Sequence, residues 1–266
     1  MKKIVKANQA AWEEAFERRA TGFGNDHAKR LAAEPFAFLD GPALEALRGM
    51  KLEGACVGQF CCNNGRELMS VVKNFHAREG VGFDIAGNIL AQARGIAAET
   101  GVPCVFVQGD VCEAPAEYDG RFHLLLVTAG ALCWQEDLRA FFRRAAGCLR
   151  PGGTLLVYEI HPFTNMLALP GEEEYDAGRP DRLANSYFRT EPFIDCYGMP
   201  YLTGQTYESK PFTSFVHTMG DVVTAVARSG LNVEKLAEYE GDIGALTDGL
   251  DGKGLPLSYL LTARKA

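Results

Sequence analysis

The segment VGQFCCNNGRE, residues 57–67, carries the strongest fold signal in this chain. An apolar run ends there in a turn of small and polar residues, and a helix-forming sequence follows. A second apolar run, VGFDIAGN at 81–88, reaches Asp84, which lies 19 residues after Gly65. A strand, a tight turn, a helix and a second strand ending in an acid are the layout of a nucleotide-binding unit.

The alternation of strands and helices continues beyond these two strands. We predict strands at 55–60, 80–84, 103–108, 122–128 and 153–159, and helices at 65–78, 87–100 and 136–149. Such alternation indicates right-handed crossovers and a parallel sheet covered on both faces. Thr218 and Asp221 then form a capping box for a helix at 221–229, and two more strands follow near 233–239 and 257–263.

Two segments stand outside this rhythm. Residues 7–48 are predicted to be helical, with a break at 22–24. Residues 161–216 hold 10 of the 27 aromatic residues and 6 of the 12 prolines, which favours an ordered lid over a disordered linker. We therefore divide the chain into an N-terminal helical cover, 1–50, and a main domain, 51–266, with a lid insertion at 161–216, the lid segment.

Composition limits the function classes. The chain has 266 residues, 47% of them hydrophobic, which is enough for a substantial core. A net charge of −7 and a pI near 5.4 argue against a nucleic-acid-binding protein, since such affinity depends on clustered Lys and Arg. No apolar run is long enough to cross a membrane and no export signal is recognisable, so we expect a cytoplasmic protein.

The eight cysteines do not predict a metal site or a disulfide framework. No pair has C-x-x-C spacing, and most lie inside apolar runs, where cysteine behaves as a small hydrophobic residue. Cys61 and Cys62 are exceptions because they lie in the turn after the first strand.

The ends of three strands carry candidate ligand contacts. Asp84 ends the second strand, where it can accept hydrogen bonds from ribose hydroxyls. Asp110, 26 residues later, ends the third strand, where it can accept from an adenine amino group. The fourth strand opens into the small-residue segment LLVTAGALCW, 125–134. Each acid alone is compatible with a helix cap, but all three strand ends share the edge where open α/β sheets bind ligands.

On these residues the chain resembles class I S-adenosylmethionine-dependent methyltransferases from about residue 50 to the C-terminus. The family's first motif, acid–hydrophobe–Gly-x-Gly-x-Gly, falls on residues 59–65, where only the last glycine is kept. CLRPGGTLLVYE (148–159) and LPLSYLLTARK (255–265) resemble the fifth-strand passage and the last strand. The resemblance implies a doubly wound, Rossmann-like, mostly parallel seven-stranded sheet.

The resemblance also implies S-adenosylmethionine as cofactor and assigns residues to it. The methionine moiety would contact Gln59, Cys61, Asn63 and Gly65, the ribose Asp84 with Ile85, and the adenine Asp110 with Val111. Thr128 and Gly130 would lie beside the methionine portion or the reacting centre. Trp12, in an AsnGlnxxTrp segment, either folds over the cofactor or anchors helix packing. Gln59 makes the contact to the cofactor's ammonium group neutral, and Cys61 and Asn63 narrow the turn.

Methyl transfer needs alignment of the acceptor and exclusion of water, and a hydroxyl acceptor also needs a base. His161 and His217 are the candidate catalytic bases because they bracket the lid segment. Each is also compatible with a structural role at its junction. Glu159, Tyr158, Tyr207 and Asp195 are weaker candidates.

These patterns predict methyl transfer to a small molecule, apolar or aromatic because we expect an aromatic pocket with few fixed charges. We expect no nucleic-acid or membrane partner, and a monomer or homodimer. Two alternatives stay open: a protein that binds S-adenosylmethionine without catalysis, and a nicotinamide-dependent oxidoreductase. The oxidoreductase would require G-x-G-x-x-G, whereas CCNNGRE supplies one glycine.

Overall fold

A seven-stranded sheet forms the centre of the computed structural model, which describes residues 2–170, 172, 174–247 and 249–266. In chain order the strands are Cys56–Phe60 (β1), Glu79–Asp84 (β2), Cys104–Gln108 (β3), Phe122–Thr128 (β4), Leu149–Ile160 (β5), Phe193–Asp195 (β6), Phe212–Ser214 (β7), Leu231–Tyr239 (β8) and Ser258–Lys265 (β9). Strands β6 and β7 pair separately as a small antiparallel ribbon in the lid segment.

The order across the large sheet is β3-β2-β1-β4-β5-β9-β8. Strands β1 to β5 pair with one another in parallel, and β9 runs antiparallel to both β5 and β8. The predicted doubly wound, mostly parallel sheet is confirmed. The chain order reverses between β1 and β4, which is where open α/β sheets form a ligand crevice.

Eight helices are found in the part of the chain that the structure describes. They are Lys3–Glu17 (α1), His27–Ala33 (α2), Gly41–Arg48 (α3), Arg66–Asn74 (α4), Gly87–Thr100 (α5), Leu138–Cys148 (α6), Pro200–Thr203 (α7) and Met219–Arg228 (α8). Helices α6 and α8 pack on one face of the sheet, and α3, α4 and α5 pack on the other. Burial on both faces explains why β1, β4 and β5 are almost continuously apolar.

Two predicted boundaries differ from the structure by four residues. Helix α4 ends at Asn74 rather than at 78, because His76 has a left-handed backbone with φ 54°. Strand β5 begins at Leu149 rather than at 153. Phe122 pairs with Leu149 and Leu124 pairs with Thr154, so residues 150–153 bulge out of the ladder.

Helix α1 and the lid segment lie together at the carboxyl edge of the sheet. The Asn8 side chain donates to the Thr213 carbonyl oxygen and accepts from the Thr213 N–H, both at 2.8 Å, which joins α1 to β7. The N–H of Gly87, at the start of α5, donates to Glu13 Oε1 at 3.1 Å. Gly171 and Glu173 of the lid segment, and Met1 of the N-terminal cover, lie outside the described residues.

The capping box predicted before α8 is present. Thr218 Oγ1 accepts from the Asp221 N–H at 3.1 Å, and Asp221 Oδ2 accepts from the Thr218 N–H at 3.0 Å. We expect Thr218→Ala to lower the free energy of unfolding by about 1 kcal/mol, because it removes one side of the cap. Urea unfolding measures this, with Thr224→Ala in the exposed middle of α8 as the control. Equal stability of the two variants would contradict a contribution from the cap.

Candidate active site

The turn after β1 has an alternating left-handed backbone. Cys61, Asn63 and Gly65 have φ angles of 52°, 50° and 71°, and they occupy the three glycine positions of the family motif. A left-handed backbone is unfavourable for an L-residue other than glycine by about 1–2 kcal/mol, and least so for asparagine. The turn therefore keeps the glycine-type conformation although two of its three glycines are replaced.

Gly65 is required by its backbone and by packing. A Cβ atom at this position would overlap the aromatic ring of Phe106 on β3. Gly130, after β4, is different: its φ is 83°, and a Cβ there would meet nothing within 4 Å. The open space at Gly130 therefore allows a ligand to approach the backbone at the end of β4.

Asp84 lies at the end of β2 and joins two turns. Its Oδ2 accepts from the Asn63 N–H at 2.8 Å, and its Oδ1 accepts from the Ala86 N–H at 3.0 Å. Burial raises the pKa of the Asp84 carboxyl, and the bonds from Ala86, Asn63 and the Ile85 N–H oppose that rise. The side chain is half-buried, so a carboxylate with four acceptor sites still has capacity for a ligand hydroxyl.

The other acid predicted to contact the cofactor begins a short 3-10 helix after β3. Asp110 Oδ1 accepts from the Cys112 N–H at 2.9 Å, so the helix-cap interpretation of this residue holds. Val111 is buried in the core, where it packs in the same cluster as Phe83 and Tyr118. A cofactor contact at Val111 would therefore involve its backbone, and the contacts of both residues remain predictions.

The structure gives Gln59 an internal role. The side chain is 1% exposed, its Nε2 donates to Thr128 Oγ1 at 3.0 Å, and its Oε1 accepts from the Leu68 N–H at 3.1 Å. Gln59 thus links β1 to β4 and to the first turn of α4. This arrangement favours a structural function for Gln59 over the predicted contact with the cofactor's ammonium group.

A buried carboxylate holds the loop after β4. The Gly130 N–H donates to Glu159 Oε1, and the N–H groups of Ala131 and Leu132 donate to Glu159 Oε2 at 2.8 and 3.0 Å. Ile160 N–H also donates to Oε1, at 2.9 Å. Burial raises the pKa of Glu159 against these four bonds. Because four backbone N–H groups donate to its two oxygens, the structure favours a positioning role for Glu159 over its weaker candidacy as a base.

A cavity of about 220 Å³ lies beside Gly130, between the ends of β4 and β5 and the lid segment. Its wall includes Gly130, Trp134, Glu159, Glu172, Asp195, His161, His217 and Tyr259. Tyr158 lines a separate cavity of about 160 Å³, and Tyr207 packs against Arg18 with 4.7 Å from the guanidinium carbon to the ring centre. Those two weaker candidates are therefore absent from the described wall of the larger cavity.

His217 is one of the residues that line this cavity. Its Nε2 lies 2.7 Å from the Gln135 carbonyl oxygen, which can only accept, so the proton is on Nε2 and Nδ1 carries a lone pair. Among the described residues, Nδ1 has no hydrogen-bond partner. Burial lowers the pKa of His217, although the Gln135 bond and the charge of Asp221 oppose this effect. The ring is therefore neutral at pH 7 and able to accept a proton.

His161 differs from His217 in that both its ring nitrogens are engaged. Nδ1 accepts from the Phe163 N–H at 3.0 Å, which leaves the proton on Nε2 to be donated to Glu238 Oε1 at 2.8 Å. Burial lowers the pKa of His161, and Glu238 opposes this effect. The structural interpretation of His161 is the better supported of the two that its sequence position allows.

Trp12 lies at the carboxyl edge of the sheet within an aromatic cluster. Its ring centre is 5.4 Å from that of Trp134 and 5.5 Å from that of Phe212, and the cluster also includes Ile85. The packing interpretation of Trp12 therefore holds, and its position beside Ile85 leaves the cofactor contact open as a prediction. Tyr201, on α7, lies near the Asn63 side chain and was not predicted as a site residue.

The cysteines all have the same chemical state. All eight cysteines are free thiols, and burial raises the pKa of Cys61 and Cys62 well above the ordinary value. Within the described ranges, no group of three or more His, Cys, Asp or Glu side chains is arranged to hold a metal ion. Of the helices that the structure describes, none combines the length and the apolar character that a membrane span requires.

Residues 57–153 match a family model described as a methyltransferase domain. No curated protein matches the sequence. A Listeria monocytogenes protein assigned to the S-adenosylmethionine-dependent methyltransferases has a similar structure, with a TM-score of 0.63 and 15% identity over 84% of this chain and 97% of its own.

Two further structures extend this comparison. An S-adenosylmethionine-dependent methyltransferase from Mesorhizobium loti has a TM-score of 0.60 and 22% identity, over 83% of this chain and 96% of its own. Geranyl diphosphate C-methyltransferase from Streptomyces coelicolor has a TM-score of 0.57 and 12% identity, over 91% of this chain and 81% of its own. At such identities the likeness concerns the fold. Together with the domain match, it confirms the resemblance to class I S-adenosylmethionine-dependent methyltransferases.

The lowered pKa of His217 predicts how stability changes with pH. Because the unfolded chain binds a proton near the ordinary histidine pKa and the folded chain binds it only at lower pH, His217 makes folding less favourable as the pH falls through about 6.5. We expect the wild type to lose more unfolding free energy between pH 7.5 and pH 5.5 than His217→Gln, measured by urea unfolding. Parallel losses in both proteins would contradict a buried, neutral His217.

Proposed function

We propose that this chain, which has the methyltransferase fold, transfers a methyl group from S-adenosylmethionine to a small molecule held in the cavity beside Gly130. The observation that carries the proposal is the meeting of two features at Gly130: the ligand-binding edge of the sheet and a cavity lined by His217, whose Nε2 alone is hydrogen-bonded. The methyltransferase domain match over residues 57–153 supports the cofactor.

The residues at the strand ends fit this cofactor. Asp84 retains acceptor capacity for ribose hydroxyls, Ile85 offers an apolar surface, and Asp110 with the Val111 backbone would meet the adenine. The backbone of residues 61–65 and the open space at Gly130 would accommodate the methionine portion. When bound, S-adenosylmethionine supplies a methyl group on a sulfonium that is its own leaving group.

The chain's own contribution to the reaction is positioning, water exclusion and removal of a proton. Glu159 fixes the backbone at Gly130, Ala131 and Leu132, and so fixes one wall of the cavity. Lid-segment residues form the opposite wall and exclude water from the reacting atoms. His217 accepts the proton that a hydroxyl or amine acceptor loses, because its Nδ1 is unprotonated at neutral pH.

One alternative has an observation in its favour. Cys61 and Asn63 place side chains on a turn that the family keeps bare, which is compatible with a protein that binds the cofactor weakly or without turnover. The nicotinamide-dependent oxidoreductase has no such support, because the segment lacks G-x-G-x-x-G. Methyl-transfer turnover distinguishes the enzyme from a protein that only binds S-adenosylmethionine. Binding of S-adenosylmethionine distinguishes both from the oxidoreductase.

Removal of the Asp84 carboxylate tests the cofactor site. We expect micromolar binding of S-adenosylmethionine and S-adenosylhomocysteine to the wild type, and at least about a hundredfold weaker binding to Asp84→Ala, since charge-assisted bonds to the ribose are lost. Calorimetric titration measures both affinities, with NADH as the control ligand and Glu99→Ala, an exposed acid on α5, as the control variant. Binding of NADH alone would overturn the proposal.

Replacement of His217 tests the catalytic step. We expect His217→Gln to lower the rate of methyl transfer by about 100-fold or more while cofactor affinity stays within about tenfold, because the variant keeps the fold but loses the base. The measurement follows labelled methyl groups from S-adenosylmethionine into a crude metabolite extract. His76→Asn, at an exposed histidine, is the control. Equal rates in His217→Gln and the wild type would leave positioning as the sole source of catalysis.

A further inference from the structure

The cavity beside Gly130 has more fixed charge than the sequence predicts. Three carboxylates, those of Glu159, Glu172 and Asp195, lie on its wall, and no lysine or arginine is among the described residues that line it. Four backbone N–H groups donate to Glu159 and stabilise its charge. The expectation of few fixed charges, and with it a purely apolar acceptor, therefore does not fit this wall.

Glu172 and Asp195 form the part of the wall whose charge is not compensated. Glu172 Oε2 accepts from the Leu169 N–H at 2.9 Å, and the described residues give the Asp195 carboxylate no hydrogen-bond partner. Burial raises the pKa of both carboxyls, and the negative charge of Asp195 raises that of Glu172 further. Two nearby carboxylates in a half-buried wall lose stability from mutual repulsion, and a bound cation would relieve it.

A second feature of the wall points to a polar ligand independently of these acids. Tyr259, on β9, is 1% exposed, lines the cavity, and carries a hydroxyl without a hydrogen-bond partner among the described residues. A buried hydroxyl without a partner costs about 1–3 kcal/mol, so such groups are rare unless a ligand or water completes them. A hydroxyl can accept a hydrogen bond from an N–H donor.

Four further aromatic residues lie on the wall. Trp134, Phe193, Tyr197 and Phe215 line the cavity together with the acids. Aromatic faces bind apolar groups and also attract cations through the ring quadrupole. An acceptor that satisfies this wall would therefore combine an apolar body with a donor-rich cationic group.

We propose that the acceptor is a small molecule that carries a protonated amine on an apolar or aromatic body, with the amine held by Glu172 and Asp195. The proposal rests on the function proposed above, because it assigns the substrate class of the same cavity. An ammonium group has one positive charge and three N–H donors, so it can donate to both carboxylates. An anionic acceptor of the same size would meet only like charges.

The test compares three ligands of similar size and one apolar body: 2-phenylethylamine, 2-phenylethanol and 3-phenylpropanoate. Each is titrated at pH 7 into the full-length protein already saturated with S-adenosylhomocysteine. We expect the amine to bind at least about tenfold more tightly than the alcohol, and the carboxylate to show no binding. Failure of S-adenosylhomocysteine to bind would appear before any amine is added and would overturn the proposed function itself.

Variants assign the effect to the named residues. Asp195→Asn should weaken binding of the amine by about tenfold and leave binding of the alcohol within about twofold, because only the amine gains from the charge. Glu208→Gln, an exposed acid in the lid segment, is the control and should change neither affinity. Tyr259→Phe should raise the melting temperature of the free protein, because the unpaired hydroxyl is removed.

The results that overturn the amine proposal are distinct from those that overturn methyl transfer. With S-adenosylhomocysteine bound, no detectable binding of the amine, equal binding of the amine and the alcohol, or tighter binding of the carboxylate would each contradict it. Equal loss of amine affinity in Asp195→Asn and Glu208→Gln would also contradict it, because the effect would then be one of net charge rather than of contact.

Discussion

The bridge formed by the Asp84 carboxylate is the interaction on which the candidate site depends. It accepts hydrogen bonds from N–H groups of the turns after β1 and β2, and so fixes the two turns relative to each other. The turn after β1 lies beside the point, between β1 and β4, where the chain order of the sheet reverses. The bridge also helps to hold Asn63 in its left-handed conformation. Glu159 has the same function for the loop after β4, so two acids together define the ligand-binding edge.

Local patterns were sufficient to predict the framework. The apolar runs that became β1, β2 and β4 are buried on both faces, and periodicity, turn residues and the capping box at Thr218 are all short-range signals. The family resemblance on residues 59–65 added the number of strands, seven, which no local pattern contains. The boundary differences, at His76 and at the bulge of residues 150–153, arise from single backbone conformations that residue type specifies weakly.

The details of the site could be predicted only in part, because they depend on contacts between distant residues. The sequence spacing predicted that Asp84 ends the second strand, and the structure places it there. The internal role of Gln59 depends on Thr128 and Leu68, and the difference between the two histidines depends on Gln135 for His217 and on Glu238 for His161. The acidic cavity wall contains Asp195 from β6 and Glu172 from another part of the lid segment. No sequence motif predicts that these two parts lie together.

A crystal structure of the protein with S-adenosylhomocysteine would test the central claim most directly. We expect the ribose hydroxyls to donate to Asp84 and the sulfur to lie beside Gly130, facing the cavity that His217 lines. A ligand bound elsewhere, or bound at the sheet edge without contact to Asp84 and with its sulfur turned away from that cavity, would contradict it.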